Sequence, residues 1–312
     1  KLKVCLQEAN LMFKQERYDS AEALFNECIA SDSTNIRAQI GLAKTKNKLG
    51  DIKEALSLWN AALALEPENQ ACLIGKANTL FQLEQYYEAT AFFNACLVLC
   101  PENVNARIGL ARINVKTGDK EDALSSWNAV LAIEPENQAS LMGKANTLLQ
   151  LEQYDGAAAA FETYLTIRPA NVNAHIGLAR TKIKQSNFAD ALPLWDRALA
   201  LGPENHTCLM GKANTLLQLE QYDGAAAAFN AYLAIHPANI NAQIGLARTK
   251  IKQGDVEDAV PLWEEALGLE PENQASLMGK ANALLRLELY DEATAAFNAC
   301  LALYPENINA YI

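Results

Sequence analysis

The residues best suited to chemistry are amide and cationic side chains that recur every 34 residues. An asparagine amide both donates and accepts hydrogen bonds, so it can bind a peptide backbone of any sequence. A guanidinium presents a planar fork to carboxylate, sulfate or phosphate. The main series alternates amide and cation: Asn10, Lys44, Asn78, Arg112, Asn146, Arg180, Asn214, Arg248 and Asn282. Lysines four residues later accompany the cationic members: Lys48, Lys116, Lys184 and Lys252.

Catalytic and metal-binding motifs are not visible beside these series. The histidines fall at three unrelated places of the period, without a nucleophile or carboxylate at motif spacing: His175, His206 and His236. The seven cysteines show no disulfide framework, and Cys28, Cys96 and Cys300 share one place of the period. They are interpreted as small core residues of a protein in a reducing compartment. The sequence therefore predicts a cytoplasmic, non-enzymatic chain without cofactor or metal.

The charge balance narrows the class of partner. Lysine and arginine number 26 against 37 acidic residues, a net charge of −11. This balance disfavours nucleic acid and anionic membranes. No apolar run is long enough to span a bilayer. The cationic series then favours a protein or peptide partner of acidic character.

Helices must position these residues, because the same period governs the structural signals. Prolines recur from Pro67 to Pro305 and asparagines from Asn35 to Asn307, at steps of 34 residues. A period of 34 is typical of paired-helix repeats. In the unit 36–69, Asn35 is expected to cap a first helix (helix A), which ends at Gly50. Asp51 is expected to cap a second helix (helix B), which ends before Pro67.

The pattern of small and aromatic residues gives the repeat its family character. Counting residue 36 as position 1, the pattern small-8, Gly-15, Ala-20, aromatic-24, small-27 and Pro-32 is met by Ala43, Gly50, Ala55, Trp59, Ala62 and Pro67. The chain resembles a tetratricopeptide repeat array over essentially its full length. The resemblance implies an all-α, right-handed α-solenoid, with A helices lining a concave groove and B helices outside. It also implies that the aromatic residue at position 24, tryptophan in alternate repeats, packs between helices.

The period divides the chain into nine units that form one array. We expect helix A at about positions 2–14 and helix B at about 18–30, eighteen helices in total, without a strand. Residues 308–312 would begin a truncated tenth repeat. The predicted units are 2–35, 36–69, 70–103, 104–137, 138–171, 172–205, 206–239, 240–273 and 274–307.

Two departures from the family pattern leave questions open. Glycine stands at position 6 in eight units, from Gly41 to Gly279, instead of at position 8. Either a ligand or a neighbouring helix could approach this bare backbone. Position 4, usually large and apolar, is polar in alternate repeats, which predicts a rotated helix face: Gln39, Arg107, His175 and Gln243.

Three functions fit these patterns. The first is a non-catalytic scaffold whose concave groove holds an extended, acidic segment of a partner through the amide and cationic series. The second is a substrate-recruiting arm of a larger glycosyltransferase or sulfotransferase. The third is a scaffold for exopolysaccharide export, which the seven cysteines disfavour. A solvated helix face without a ligand remains the simplest alternative for the polar series.

The two ends of the array predict self-association of this fragment. Apolar residues open the first helix, among them Leu2, Val4 and Leu6. At the other end, four apolar residues of the last complete unit are expected to be partly uncovered: Leu284, Leu285, Phe297 and Leu301. Exposed apolar patches of this kind favour end-to-end contacts.

Overall fold

Eighteen α-helices of 13 or 14 residues make up the part of the chain that the computed structural model describes, residues 2–307 and 310. No β-strand occurs among these residues. The chain divides into two compact units, residues 1–152 and 153–312. The helix number confirms the prediction. The proposed start of a tenth repeat lies outside the described residues, apart from Ala310.

The first unit contains five A helices and four B helices. The A helices are α1 (Leu2–Lys14), α3 (Ile36–Leu49), α5 (Gln70–Gln82), α7 (Val104–Thr117) and α9 (Gln138–Gln150). The B helices are α2 (Tyr18–Ser31), α4 (Ile52–Leu65), α6 (Tyr86–Leu99) and α8 (Lys120–Ile133). Each helix packs against the next one in sequence, and each A helix also contacts the following A helix.

The second unit repeats this arrangement from a B helix onward. Its B helices are α10 (Tyr154–Ile167), α12 (Phe188–Leu201), α14 (Tyr222–Ile235), α16 (Val256–Leu269) and α18 (Tyr290–Leu303). Its A helices are α11 (Val172–Lys184), α13 (His206–Gln218), α15 (Ile240–Gln253) and α17 (Gln274–Arg286). Sequential helices again pack together, and each A helix contacts the next A helix.

The ends of the A helices follow the sequence signals. The Asn35 side chain accepts a hydrogen bond from the backbone N–H of Ala38 at 3.1 Å, and Gly50 adopts the left-handed conformation with φ +90°. The expectation that Asp51 caps α4 is wrong, because its side chain makes no capping hydrogen bond. The Asp51 carboxylate instead accepts a hydrogen bond from Lys46 Nζ at 3.2 Å. A nearby ammonium group offers a charge-assisted bond that competes with the backbone N–H groups.

Aromatic residues at position 24 form the centre of the helix packing. Trp59 and Trp195 are fully buried, and Trp127 and Trp263 are nearly so, which confirms the core assignment of the tryptophans. In the first eight repeats, the position-24 ring packs on the glycine of the A helix that follows. A Cβ on Gly75 would lie 2.5 Å from the Trp59 ring. The glycines at position 6 therefore leave room for an aromatic ring from the preceding repeat. Of the two alternatives left open by the sequence, a neighbouring helix, and not a ligand, approaches this bare backbone.

The polar residues at position 4 attach each A helix to the turn before it. Gln39 Nε2 donates to the Ser33 carbonyl at 2.7 Å, and both Arg107 side-chain contacts go to the Pro101 carbonyl. His175 Nε2 lies 2.9 Å from the carbonyl of Pro169, and Gln243 Nε2 donates to that of Pro237 at 3.2 Å. A carbonyl at a turn has no helical partner, so these bonds satisfy it. The polar substitutions at position 4 are structural.

The end of the second unit is more closed than expected. Leu284 and Phe297, two of the four residues expected to be partly uncovered, are only 2% and 6% exposed. Both pack in one cluster with Ala310, which closes over them. Leu285 and Leu301 are half-buried and line a recess of about 460 Å³. End-to-end association stays a prediction.

Three cysteines that share position 27 of the repeat lie in the core. The thiols of Cys28, Cys96 and Cys300 are fully buried, in keeping with a core role. Burial raises the pKa of Cys96, and burial together with a contact to Cys5 raises the pKa of Cys28 to about 12. None of the described helices combines the length and apolar character that a bilayer crossing requires.

Candidate binding surface

All thirteen side chains predicted for binding are exposed on A helices, and we call these thirteen residues the A-helix surface. Positions 9 and 13 lie one helical turn apart on one face, next to position 8, which is buried in every repeat, and position 10, which is buried in every repeat but the first. In the first unit the surface consists of Asn10, Lys44, Lys48, Asn78, Arg112, Lys116 and Asn146. In the second unit it consists of Arg180, Lys184, Asn214, Arg248, Lys252 and Asn282.

The cations of the A-helix surface have no ion pair within the described part of the chain, whereas all three lysines at position 11 and two of the four at position 7 have one. At position 11, Lys46 contacts Glu22 at 2.7 Å and Glu54 at 2.9 Å. At position 7, Lys212 contacts Asp196 at 2.7 Å. The corresponding lysines Lys182, Lys250 and Lys280 are also paired. Most lysines at positions 7 and 11 are therefore paired with acidic residues of the chain, whereas the cations at positions 9 and 13 are available to solvent or a ligand.

Arg112 makes one internal contact of another kind. Its guanidinium lies over the Phe81 ring, 4.9 Å from the ring centre. A cation–π contact leaves the edge of the guanidinium free to donate hydrogen bonds. Arg112 is thus held in place but still exposed.

The amides of the A-helix surface fall into two groups. Asn10, Asn146 and Asn282 each donate one hydrogen bond to the carbonyl four residues earlier in their own helix, at 2.7 to 2.9 Å. Asn78 and Asn214 make no hydrogen bond to any other described side chain or backbone group through their amides. Every one of the five keeps hydrogen-bonding capacity, because a primary amide has two donors and an acceptor oxygen.

Acidic residues are segregated away from the A helices. None of the eight helices α3, α5, α7, α9, α11, α13, α15 and α17 contains Asp or Glu, and Glu8 is the single acidic residue of α1. The 37 acidic residues therefore lie almost entirely in B helices and turns. Local charge on the A-helix surface is positive, although the chain as a whole carries −11. A field of this kind attracts anionic groups at short range.

Two recesses in the second unit bring predicted residues together. Arg180 and Asn214 line a recess of about 450 Å³ with His206, Thr207 and Asn241. Another recess, of about 460 Å³, is lined by Arg248 and Lys252. His206 and Thr207 were not among the residues that the sequence predicts for binding. The available signal was their departure from Gln and Ala, which open the corresponding helices α5, α9 and α17.

Metal binding has no support in the part of the chain that is described. No three His, Cys, Asp or Glu side chains there lie close enough together to hold an ion. The lysines and arginines of the A-helix surface repel a metal cation, and no carboxylate among its thirteen residues accompanies the amide oxygens. Its chemistry suits anions and peptide groups.

Comparison with known families agrees with this architecture. The tetratricopeptide repeat model matches residues 108–172, 176–240 and 244–308, which is more than half of the chain. The chain belongs to the tetratricopeptide repeat family. A second model, anaphase-promoting complex, cyclosome, subunit 3, matches residues 14–96. The comparison with curated proteins gives no match.

Several solved structures share this fold. PilW, a type IV pilus biogenesis factor, is 18% identical with a TM-score of 0.63, over 66% of this chain and 96% of its own. A tetratricopeptide repeat protein from Parabacteroides merdae is 16% identical with a TM-score of 0.56, over 80% and 98%. YrrB, described as having an unusual peptide-binding site, is 21% identical with a TM-score of 0.50, over 60% and 97%.

The family assignment defines the general role. The fold is all-α, built of about nine helical repeats, and it is the fold of a protein–protein interaction scaffold. Tetratricopeptide repeats are typically non-catalytic. The partner and its chemistry have to be argued from the side chains.

Proposed function

We propose that this tetratricopeptide repeat protein is a non-catalytic scaffold whose A-helix surface binds an extended, acidic segment of a partner protein. The observation that carries the proposal is the contrast among A-helix cations. Within the described residues, those at positions 9 and 13 make no ion pair, whereas most lysines at positions 7 and 11 make one. Charges without an internal partner on a surface without acids are suited to external carboxylates.

The cationic side chains and the asparagine amides would bind different groups of the partner segment. Arginine and lysine side chains donate charge-assisted hydrogen bonds to acidic side chains, which are stronger than bonds between neutral groups. Asn78 and Asn214 have free amides that can pair with the N–H and C=O of an extended backbone. Backbone contacts supply affinity without sequence preference, so specificity rests on the cations. The alternation of the two types suits a segment that presents backbone and carboxylate groups in turn.

Similarity to YrrB supports a peptide as the ligand class. That protein is described as having a peptide-binding site. Its identity to this chain is 21%, so the similarity supports the use of the fold and not a set of binding residues. The acidic character of the ligand rests on the charges of this chain.

Fluorescence anisotropy with a designed peptide tests the proposal. The probe is a fluorescein-labelled 16-residue peptide of alternating Glu and Ser, and the matched peptide alternates Lys and Ser. We expect saturable binding of the acidic peptide and none of the basic one at 150 mM salt. Alginate oligomers serve as a competitor, because they carry carboxylates on a glycan backbone without amide groups. Equal binding of both peptides, or of alginate and the acidic peptide, would contradict the proposal.

Charge reversal locates the binding. In the A-helix variant, Arg112, Arg180 and Arg248 are replaced by Glu. In the matched control, Lys53, Lys120 and Arg197 of the B helices are replaced by Glu, so the net charge changes equally. We expect the first variant to bind the acidic peptide at least about tenfold more weakly, since each lost charged hydrogen bond costs about 1.5–3 kcal/mol. The control should stay within about twofold at 150 mM salt.

A further inference from the structure

One A helix of the second unit begins with residues that its counterparts lack. His206 and Thr207 open α13, where α5, α9 and α17 begin with Gln and Ala. The helix that follows carries Tyr232 at the position of Cys96 and Cys300. His206 and Thr207 are peculiar to this repeat, Tyr232 is shared with Tyr164 one pair of repeats earlier, and all three residues of this repeat line the recess of about 450 Å³.

Hydrogen-bond donors surround this recess from three A helices. Arg180 comes from α11, His206, Thr207 and Asn214 from α13, and Asn241 from α15. No aspartate or glutamate is among the residues that line it. An acid-free set of donors with a guanidinium is complementary to an oxyanion, which offers several acceptor lone pairs and a negative charge.

Part of the lining of the recess is apolar. Met210 and Ile183 line it, and the Trp195 ring lies beneath the bare backbone of Gly211, where a Cβ would come within 2.6 Å of the ring. Apolar lining with a few placed polar groups is characteristic of small-ligand sites. A ligand with an apolar stem and an anionic tip would satisfy both parts of the lining.

We propose that this recess is a specificity subsite of the A-helix surface, which takes a side chain with an apolar stem and a carboxylate or phosphate tip. The inference rests on the proposed binding role of the A-helix surface and adds a preferred residue to it. Arg180 pairs with the charge of the tip, and Thr207, Asn214, Asn241 and His206 donate to its oxygens. Carboxylate and phosphate share this chemistry, and small probes separate them.

Nuclear magnetic resonance of the tryptophan indoles provides a site-resolved test. The chain has four tryptophans, one in each alternate B helix, and of these Trp195 lines the recess. Phenyl phosphate and phenylacetate are the anionic probes, and phenol is the neutral control. We expect a saturable shift of the Trp195 indole N–H signal with an anionic probe, at a dissociation constant below about 1 mM. The signals of Trp59, Trp127 and Trp263 should not move, and phenol should have no saturable effect.

Exchange of residues between repeats provides the matched variants. The variant His206→Gln with Thr207→Ala restores the residues of the sister helices, and Arg180→Gln removes the guanidinium. Each should weaken probe binding at least about fivefold, since a charged or neutral hydrogen bond is worth about 1–3 kcal/mol. The control Gln70→His with Ala71→Thr places the same two residues on α5 and should leave the Trp195 response unchanged. The subsite is refuted if Trp195 does not respond, if all four indoles respond alike, or if neither variant weakens binding.

This experiment separates the subsite from the general role. Binding of the Glu-Ser peptide with a silent Trp195 would refute the subsite and leave the scaffold proposal intact. If the parent protein does not bind the Glu-Ser peptide but its Trp195 signal responds to phenyl phosphate, the scaffold proposal is refuted and the recess is a small-anion site instead.

A second, independent feature lies in the first repeat. Cys5 of α1 and Cys28 of α2 are 23 residues apart in sequence, and their Sγ atoms are 2.9 Å apart. Cys28 is fully buried, while Cys5 is half-buried and can be reached from solvent. Of the other position-27 cysteines, Cys96 has Cys100 nearby on the same segment of chain, but no thiol–thiol contact like that of Cys5 and Cys28 occurs elsewhere in the described part of the chain.

We infer that Cys5 and Cys28 form a reversible disulfide when a small disulfide such as oxidised glutathione is supplied. The Cys5 thiolate attacks one sulfur of the oxidant, a mixed disulfide forms, and one glutathione thiolate leaves and takes up a proton. Cys28 then loses its proton and displaces the second glutathione as a thiol. The two protein thiols are oxidised, and one glutathione disulfide is reduced to two thiols. The product ties α1 to α2 and should stabilise the first repeat by closing a chain loop.

Mass spectrometry of the native protein tests the pair. Incubation with oxidised glutathione should give a species lighter by two hydrogens, and peptide mapping should show Cys5 linked to Cys28. Reaction should be slow, because the buried Cys28 thiol has a pKa raised to about 12. Cys5→Ser should abolish the linked species, whereas Cys100→Ser should not affect it. A stable glutathione adduct on Cys5 without the linked product would overturn the inference, as would a linked species that persists in Cys5→Ser.

Discussion

At the scale of single residues, the buried indole N–H groups show how repeats differ in stability. Trp127 and Trp195 donate to Thr147 and Thr215 of the following A helix, at 3.2 and 3.0 Å. Trp263 has no partner among the described residues, and Ala283 stands at the position of those threonines. Trp59 is unpaired there as well, because the hydroxyl of Thr79 is bonded to Asn47, a residue whose place is taken by isoleucine before Trp195 and Trp263. A buried donor without a partner costs free energy.

Ala283→Thr should therefore raise the free energy of unfolding by about 1 kcal/mol, because it supplies the acceptor that Trp263 lacks. The same geometry exists between Trp195 and Thr215, so the hydroxyl has a precedent at this position. Urea unfolding measures the effect. Thr215→Ala is the matched variant and should lower stability by about 1–3 kcal/mol, since it leaves Trp195 unpaired. A loss of stability in Ala283→Thr would show that the site cannot admit the larger side chain.

Because of Lys46, the free energy of unfolding is expected to change with pH in the alkaline range. Its side chain is 9% exposed and contacts Glu22, Glu54 and Asp51 within 3.2 Å. The hydrogen bond to Glu22, followed by that to Glu54, raises the pKa of Lys46 above its ordinary value. A raised folded-state pKa gives a contribution that is complete below the unfolded-state pKa of about 10.4 and declines as pH rises through the folded-state pKa.

Lys46→Met should accordingly cost on the order of 1–2 kcal/mol at pH 8, and the difference from the parent should shrink above about pH 10.4. Lys48→Met is the control, because Lys48 is exposed and has no ion pair in the described part of the chain. Urea unfolding at pH 8 and pH 11 measures both. A difference for Lys46→Met that does not change with pH would refute the role of its charge.

At the scale of helices, local signals were sufficient to predict the elements. Asn35 and Gly50 act within one turn of their own helix, so the sequence identifies them directly. The hydrogen-bond partner that the sequence predicts for the Asp51 carboxylate is wrong. That carboxylate pairs with Lys46, which comes within reach only when α3 and the turn before α4 have formed. The partner of each position-6 glycine also needed the structure. It is an aromatic ring sixteen residues earlier, on a different helix, as for Trp59 and Gly75.

The helix interface predicts opposite effects for two glycines. A Cβ on Gly211 would lie 2.6 Å from the Trp195 ring, whereas nothing lies within 4 Å of a Cβ on Gly268. Gly211→Ala should lower stability by about 1–3 kcal/mol through overpacking. Gly268→Ala, in the exposed part of α16, should raise it by about 0.5–1 kcal/mol through helix propensity. Thermal unfolding measures both, and a neutral Gly211→Ala would contradict the close packing of ring and backbone.

At the scale of the whole molecule, the candidate site was only partly predictable. The exposure of all thirteen residues could be predicted from helical spacing, because positions 9 and 13 share a face. The recess that Arg180, His206 and Asn241 line together could not be predicted. These residues belong to three repeats and come together only when the A helices pack side by side. Segregation of acids away from the A helices becomes apparent only when the helix bounds are fixed.

This segregation makes a prediction about kinetics, which rests on the proposed function. The chain carries a net charge of −11, so its long-range field repels an acidic peptide, while the A-helix surface attracts it at close range. Replacing Lys53, Lys120 and Arg197 by Glu should slow association severalfold at low salt and leave dissociation unchanged.

Replacing Arg112, Arg180 and Arg248 by Glu should in addition speed dissociation, because the lost contacts act in the bound state. Stopped-flow anisotropy with the Glu-Ser peptide at about 20 mM and about 500 mM salt separates the two effects, since the Debye length falls severalfold over this range. The difference in association rates should disappear at high salt, and the difference in dissociation rates should persist. Equal dissociation rates for the two variants would mean that the three arginines act through net charge alone, and the A-helix surface would then not be the contact site.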